Sequence, residues 1–455
     1  MSASTGPQGV HPVDQVPRPG RLGVLGLQHV LVMYAGTVAV PLIVGGALGL
    51  DERTIAFLVN ADLFVAGIAT TIQATGLTRL LGVRLPVVAG ATFVAVGPMI
   101  AIGQSFGLQS VYGAMIASGF FGLLFAWPFS KILRFFPPLV TGTVITIIGL
   151  SLVGAAVGLI AGSDPSAASY ALPRDLAIGA GVLAFILLVQ RLTSGFFSQV
   201  AVLIGLVAGT LALIPFGATD FSSVGAADWF GLTTPLRFGV PEFHAAAITS
   251  MCIVMLVTFT ESTADILAVG EMVDRRPDDR GIARGLATDG LSAVLGGFFN
   301  SFPDTAFAQN VGLVGLTRVR SRWVVSVAGV LLIVLGLIPK LGAIVASIPG
   351  PVIGGAALIM FGMVSAVGIR TLGRVEFEGT NNLLVVAASL AVGLVPVVAP
   401  EIYRNMPNAF QVIFGSAITS TAILVFLLNL VFNEVGTSRR QPPERAPGEE
   451  STEVV

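Results

Sequence analysis

Long apolar runs separated by short polar joints set the pattern of this chain. A helix needs about 20 largely apolar residues to cross a bilayer. Cutting at prolines, charge clusters and turn residues predicts about fourteen such spans, near residues 22-46, 54-77, 86-104, 110-129, 137-161, 176-191, 197-216, 243-271, 284-299, 306-317, 322-338, 349-369, 381-399 and 410-433. Two of these, 86-104 and 306-317, are too interrupted for unbroken helices. The stretch Ser301 to Thr317 carries Pro303, Asp304, the amide pair Gln309-Asn310 and the glycines Gly312 and Gly315. Hydrocarbon offers no water to backbone groups, so non-helical chain at membrane depth survives only where protein buries it or where it lines a polar cavity. A site is the natural reading of this stretch, and a surface loop followed by a small-residue helix is the alternative.

Composition fixes the class. The chain is 455 residues long, 54% hydrophobic and 11% charged, against roughly 25% charged residues in soluble domains. An all-α polytopic membrane protein is the expected fold class. The basic residues test the span count. Arg18, Arg21, Arg79, Arg84, Lys131, Arg134, Arg191, Arg275, Arg276, Arg280, Arg284, Arg318, Arg320, Arg322, Arg370, Arg374, Arg439, Arg440 and Arg445 fall on one face, and only Arg53, Arg174, Arg237, Lys340 and Arg404 on the other. One missed span would scramble every later loop, so this bias supports fourteen spans with both termini cytoplasmic. A multi-pass protein of the plasma membrane is expected. Residues 1-21 and 434-455 are polar and proline-rich and read as disordered cytoplasmic tails. Cys252 lies in an apolar run and has no second cysteine to pair with. A net charge of -1 favours neither nucleic acid nor an acidic partner.

Pro138-Leu-Val-Thr-Gly142 and Pro351-Val-Ile-Gly-Gly355 share a pattern, and Gly149 and Gly362 follow at the same offset. These are the fifth and twelfth spans. Seven is odd, so the second copy crosses the membrane in the opposite sense, which is an inverted repeat. Such folds place substrate near the midplane between discontinuous helices in corresponding positions. The counterpart of Ser301-Thr317 is then Leu85-Pro-Val-Val-Ala-Gly-Ala-Thr-Phe93, with short extended segments expected in spans 3 and 10. Each should enter a half-helix whose free N-H groups favour electron-rich ligands.

Ionisable residues within spans mark function by default. Glu261 and Asp265, at i and i+4, share a helix face, and Asp289 is a third acid. Two close acids in low dielectric cannot both ionise cheaply, which provides a proton-coupling device. His29 lies well inside the first span, and a satisfied core histidine is the simplest role for it. With three histidines and one cysteine in the chain, no metal cluster and no cofactor is expected. Neither a His-Glu-x-x-His motif nor a nucleophile paired with histidine is present, so a membrane enzyme is disfavoured.

Gln309-Asn-Val-Gly-Leu-Val-Gly-Leu-Thr317-Arg318 is similar to the signature of the nucleobase-ascorbate transporter family, an amide or acid followed by Asn-x-Gly and a downstream threonine. The Gln28-His29 pair, Thr92-Phe93, Glu261 with Asp265, and Asp289 follow the family's other marks in order, from about Gly23 to Phe432. The resemblance implies a core domain of residues 22-136 and 241-340 and a gate domain of residues 137-240 and 341-433. It also implies a homodimer that moves core against gate. Carried over, Glu261 and Gln309 grip a base, with backbone at Phe93 and Ala308 adding hydrogen bonds and the Phe93 ring packing on it. Thr92 and Asn310 line the site, and Asp265, Asp289 and His29 support it and the coupling. An amide at Gln309 resembles the xanthine and urate branch, and Thr92 resembles the urate carriers. Asp304 departs from the pattern and is expected to cap or line the extracellular approach. The implied function is import of uric acid or xanthine with a proton, sodium being the other candidate ion. A pyrimidine carrier of the same family, or an anion channel or exchanger of related fold, is the alternative.

Overall fold

The computed structural model describes residues 10-162 and 166-435. The expected tail 434-455, with its three arginines, lies outside the described residues from position 436 onward, as do residues 1-9 of the expected N-terminal tail.

Helices α1 (Pro19–Ala47) and α2 (Glu52–Thr75) open the fold, and a short strand β1 (Ala89–Ala91) leads into α3 (Val96–Phe106). Then come α4 (Leu108–Lys131), α5 (Pro138–Ala161), α6 (Pro173–Leu192), the single turn α7 (Phe196–Gln199), α8 (Ala201–Leu213) and α9 (Ser222–Ala226). The second half runs α10 (Ala245–Met272), α11 (Asp279–Phe299), strand β2 (Asp304–Ala306), α12 (Ala308–Thr317), α13 (Arg322–Gly336), α14 (Pro339–Ala346), α15 (Gly350–Leu372) and α16 (Asn382–Val398). It ends with α17 (Asn408–Phe414) and α18 (Ala417–Asn429).

Eight helices among the described residues are long and apolar enough to cross a membrane unaided, and α13 with α14 makes a ninth candidate bent by 80°. The bend is at Pro339, which starts a new helix as proline does at a first turn. A single span over 322-338 does not anticipate α14. Likewise the span expected over 410-433 is broken at Gly415 and Ser416, where the Ser416 hydroxyl caps α18 by accepting from Thr419 N. β1 and β2 occupy the two stretches that the breakers single out.

The packing has a two-fold pattern. The most extensive helix contacts are α5 with α15, α4 with α11 and α2 with α13. In the span numbering expected from the sequence, exchanging each element for its mate seven spans away turns the second pair into the third and leaves the first unchanged. Glycines make both crossings close. A Cβ on Gly67 would lie 2.6 Å from Ile333 N and 2.7 Å from Gly329 O, and one on Gly119 would lie 2.6 Å from Val294 N and 2.8 Å from Gly290 O. The sequence match of Gly149 with Gly362 has no such counterpart. A Cβ on Gly149 would strike Phe361 O at 2.3 Å, whereas Gly362 meets nothing within 4 Å.

β1 and β2 pair antiparallel, with Ala89 opposite Ala306, Gly90 opposite Thr305 and Ala91 opposite Asp304. Thr92 N to Pro303 O and Phe307 N to Val88 O, both 2.9 Å, extend the ladder. Each interrupted span thereby satisfies the other's backbone where lipid could not. Thr70 of α2 adds its hydroxyl to Ala89 N and O, both at 3.0 Å. Gly90 has no room for a side chain, since a Cβ there would lie 2.9 Å from both the Phe307 ring and Thr37 Oγ1.

The N-terminal segment corrects an expectation. From residue 10 onward it is seated rather than disordered: Val13 is fully buried among Val83, Val269, Val273 and Val314. Asp14 accepts from Arg275 Nη1 and Arg322 Nε, each at 2.7 Å, and its carbonyl accepts from Trp323 Nε1 at 3.1 Å. Partial burial works against ionisation of Asp14, but the hydrogen bonds from Arg322 and Arg275 outweigh it and hold the carboxyl below the usual range. A depressed carboxyl contributes stability above the unfolded value of about 3.9 and loses it as pH falls through the folded one. The latch should therefore hold at neutral pH and loosen below about pH 4. Trypsin cleavage at Arg21, compared at pH 7 in the unmodified chain and Asp14→Asn, should be several-fold faster in the variant. Equal rates would mean that the Asp14 carboxyl does not hold the segment, leaving Val13 and the backbone contacts to do so.

Candidate functional site

The site grows from the strand pair. Glu261 lies near the middle of α10 and is half-buried. Thr92 Oγ1 donates to its Oε2 at 3.4 Å, and Thr305 Oγ1 lies 3.0 Å from the hydroxyl of Ser262, the next residue along α10. Thr92 follows β1 and Thr305 is the centre of β2, so both interrupted spans hydrogen-bond the Glu261-Ser262 step of α10. Asp265, one turn further along the same face, is half-buried with Oδ2 lacking a partner. Asp289 of α11 is buried, accepts from Gln73 Nε2 at 3.4 Å and leaves its own Oδ2 unpartnered. Ser262 ties these elements together, accepting from Ala306 N at 2.9 Å and lying 3.0 Å from Thr305 Oγ1.

A second group forms around α12. Asn310 Nδ2 donates to His29 O at 2.9 Å and lies 3.1 Å from His29 Nδ1, with both residues buried. His29 is thus a hydrogen-bonded core histidine that orients Asn310. Gln309, on the first turn of α12, is half-exposed, and Ala308 beside it is exposed. Gln309 makes no side-chain hydrogen bond among the described residues, so its donor and acceptor are both available. The two half-helix starts differ. Thr92 Oγ1 accepts from Val94 N at 3.2 Å and so caps the turn before α3, whereas no side chain caps α12. Phe93 is buried and meets Phe361 of α15 edge-on, with ring centroids 5.5 Å apart.

Asp304 is not on an approach to the site. It is 1% exposed, sealed within β2, and accepts a hydrogen bond from Ser292 Oγ. Its neighbour Thr305, together with Ser262 and Gln73, makes hydrogen bonds around these acids that the sequence reading passes over. Hydroxyls are common in apolar spans and carry no signal alone, but Gln73 and Asp62, both fully buried in α2, are polar groups inside an apolar run and could have been flagged. A cavity of about 430 Å³ lies apart from this site, lined by Arg53, Asn60, Thr233 and Arg237 among others. No group of three or more His, Cys, Asp and Glu is placed to hold a metal ion among the described residues.

Chemically, the arrangement offers carboxyls without a neighbouring cation, a free carboxamide and an uncapped helix start. Together these can hydrogen-bond a flat polar ring and exchange a proton.

Comparison with known proteins agrees with this chemistry. The chain is 46% identical over 424 residues to the uric acid transporter UacT of Escherichia coli (strain K12), covering 92% of this chain and 88% of that protein. It is 42% identical over 435 residues to the xanthine permease of Bacillus subtilis (strain 168), covering 96% and 99%. The uric acid permease PucK of the same bacterium is 42% identical, covering 90% and 95%. Among solved structures, the transmembrane domain of the cyanobacterial bicarbonate transporter BicA superposes with a TM-score of 0.59 at 15% identity, covering 92% of this chain and 98% of that one. SLC26A9 superposes with a TM-score of 0.61 at 12% identity, covering 91% and 66%, and both likenesses concern the fold alone. A model described as the permease family matches residues 20–402. On that match and those identities, the chain belongs to this permease family, the nucleobase-ascorbate transporters.

Proposed function

We propose that this chain imports uric acid and xanthine, taking up a proton at Glu261 with each substrate molecule. The observation that carries the reading is Glu261, which accepts a hydrogen bond from Thr92 at the end of β1 and sits on a helix packed against β2 and α12. Relatives named as uric acid and xanthine permeases, aligned over nine-tenths of the chain, support the substrate class.

In this mechanism Gln309 offers an N-H and a carbonyl to the ring edge of the base, which presents the complementary pair. Glu261, when protonated, donates a second hydrogen bond. Urate is largely an anion at neutral pH, and an ionised Glu261 would repel it, so binding of proton and anion is mutually favourable. Backbone N-H groups at Ala308 and Phe93 complete the cradle. With Asp265 and Asp289 nearby and no cation beside them, a further negative charge is costly, which favours the proton. Asn310 is set by His29.

Fourteen spans in two inverted halves then act as a core carrying the site and a gate built from α5, α6, α8, α15, α16 and α18. Movement of core against gate, with a homodimer fixing the gate, exposes the site alternately to each side. Both termini lie in the cytoplasm of a cell whose plasma membrane holds the protein. The symmetric packing of α2 with α13 and α4 with α11 supports a core that moves as one piece.

Cells expressing the chain should accumulate radiolabelled urate and xanthine but not uracil, and a proton uncoupler should collapse the accumulation while replacement of sodium by choline leaves it intact. Uracil uptake, or accumulation that follows sodium, would overturn the reading.

A further inference from the structure

Strand β2 divides two sets of acids. Side chains alternate along a strand, so Thr305 turns toward α10 while Asp304 turns the opposite way, toward α11 and α2. There Asp304 accepts from Ser292 Oγ, and Asp62 of α2 accepts from Ser301 Oγ at 3.2 Å. Both aspartates are buried, 1% and 0% exposed. Each uses one carboxyl oxygen, and the other, Asp62 Oδ2 and Asp304 Oδ1, is buried with no partner. Ser301, which bonds Asp62, is only three residues before Asp304 on one buried stretch, so this segment brings the two carboxyls to the same region between α2 and α11. The titratable groups that face them are Tyr112 of α4, whose hydroxyl donates to Asn300 O at 3.4 Å, and Asp289 of α11. Neither brings a positive charge, and no salt bridge reaches either aspartate among the described residues.

Two carboxylates in one sealed pocket without a cation cannot both ionise cheaply. A protonated carboxyl gains a donor while an ionised one remains an acceptor, so a single proton answers both orphan oxygens at once. We propose that Asp62 and Asp304 share one proton, forming a second protonation site behind β2 that is distinct from Glu261. Asn60, two residues before Asp62, lines the 430 Å³ cavity together with Arg237, whose backbone N-H donates to Asn300 Oδ1 at 2.7 Å. Loss of the proton would set two charges against each other across the root of β2, the strand that presents Thr305 to Glu261. The inference depends on neither the identity of the substrate nor the role of Glu261.

Infrared difference spectroscopy of the full-length protein in proteoliposomes tests it. The carbonyl stretch of an un-ionised carboxylic acid, sensitive to D₂O, should be present at pH 7. One component of it should vanish in both Asp62→Asn and Asp304→Asn and persist in Glu261→Gln. The alkaline limb of substrate uptake should also move by about one pH unit or more in the two asparagine variants, as expected for acids coupled to that degree. If an asparagine variant fails to fold, Ser292→Ala and Ser301→Ala, which remove a hydrogen bond from each acid in turn, should each shift the same component. Spectra unchanged by all the variants that fold would overturn the proposal. So would a sodium-dependent thermal stabilisation abolished by Asp62→Asn, because the pair would then be holding a metal cation.

Discussion

Glu261→Gln should bind urate and xanthine within a few-fold of the unmodified chain yet lose accumulation driven by a pH gradient. The amide has nearly the shape of the protonated acid and keeps a donor for the base and an acceptor for Thr92, so the hydrogen bonds around it survive. What it cannot do is release a proton on the inner side. Each unit of pH difference is worth about 1.4 kcal/mol, or about tenfold in the accumulation ratio for one coupled proton. Proteoliposomes with an imposed gradient of one unit should therefore show about tenfold accumulation with the unmodified chain and none with the variant. Exchange of labelled for unlabelled urate should persist in both. Full gradient-driven uptake by the variant would remove Glu261 from the coupling step.

Gln309→Glu should lower urate uptake by about 100-fold. The carboxylate cannot supply the N-H that the amide offers, and hydrogen bonds to charged groups carry about 1.5 to 3 kcal/mol. It also places a second negative charge beside an anionic base, where low dielectric gives repulsion full effect. Xanthine, with less anionic character at neutral pH, should lose less than urate. Competition of labelled xanthine uptake by unlabelled urate, xanthine and uracil measures the difference. An unchanged order of potency would mean that Gln309 does not touch the base. Because Gln309 makes no side-chain hydrogen bond among the described residues, a loss of uptake here cannot be ascribed to a broken internal network.

Much of this architecture is legible from where prolines and glycines fall. Pro86 and Pro303 mark the approaches to β1 and β2, and the inverted repeat follows from the spacing of one proline pattern. The acids of α10 and α11 stand out because apolar runs surround them. What the pattern does not disclose is packing between distant segments. Nothing local to Asp304 says that its side chain faces α11 instead of an open approach; that follows only from the alternation of a strand whose register is set by Ala91 across from it. Nor does the composition of the first twenty residues reveal Val13, a single apolar side chain that finds a hydrophobic recess built by residues distant in the chain. Thr305 is invisible for a third reason, since a threonine near a membrane helix suits almost any environment.

The unequal treatment of the two half-helix starts has a consequence for where a ligand settles. Duplicated halves related by two-fold symmetry would offer a guest the same welcome from either side, and a ring would sit on the axis. Here the Thr92 hydroxyl already occupies the turn on one side, while the other keeps its partial positive charge unspent. On the function proposed above, an electron-rich heterocycle should therefore sit off centre, nearer Ala308 and Gln309 than Thr92.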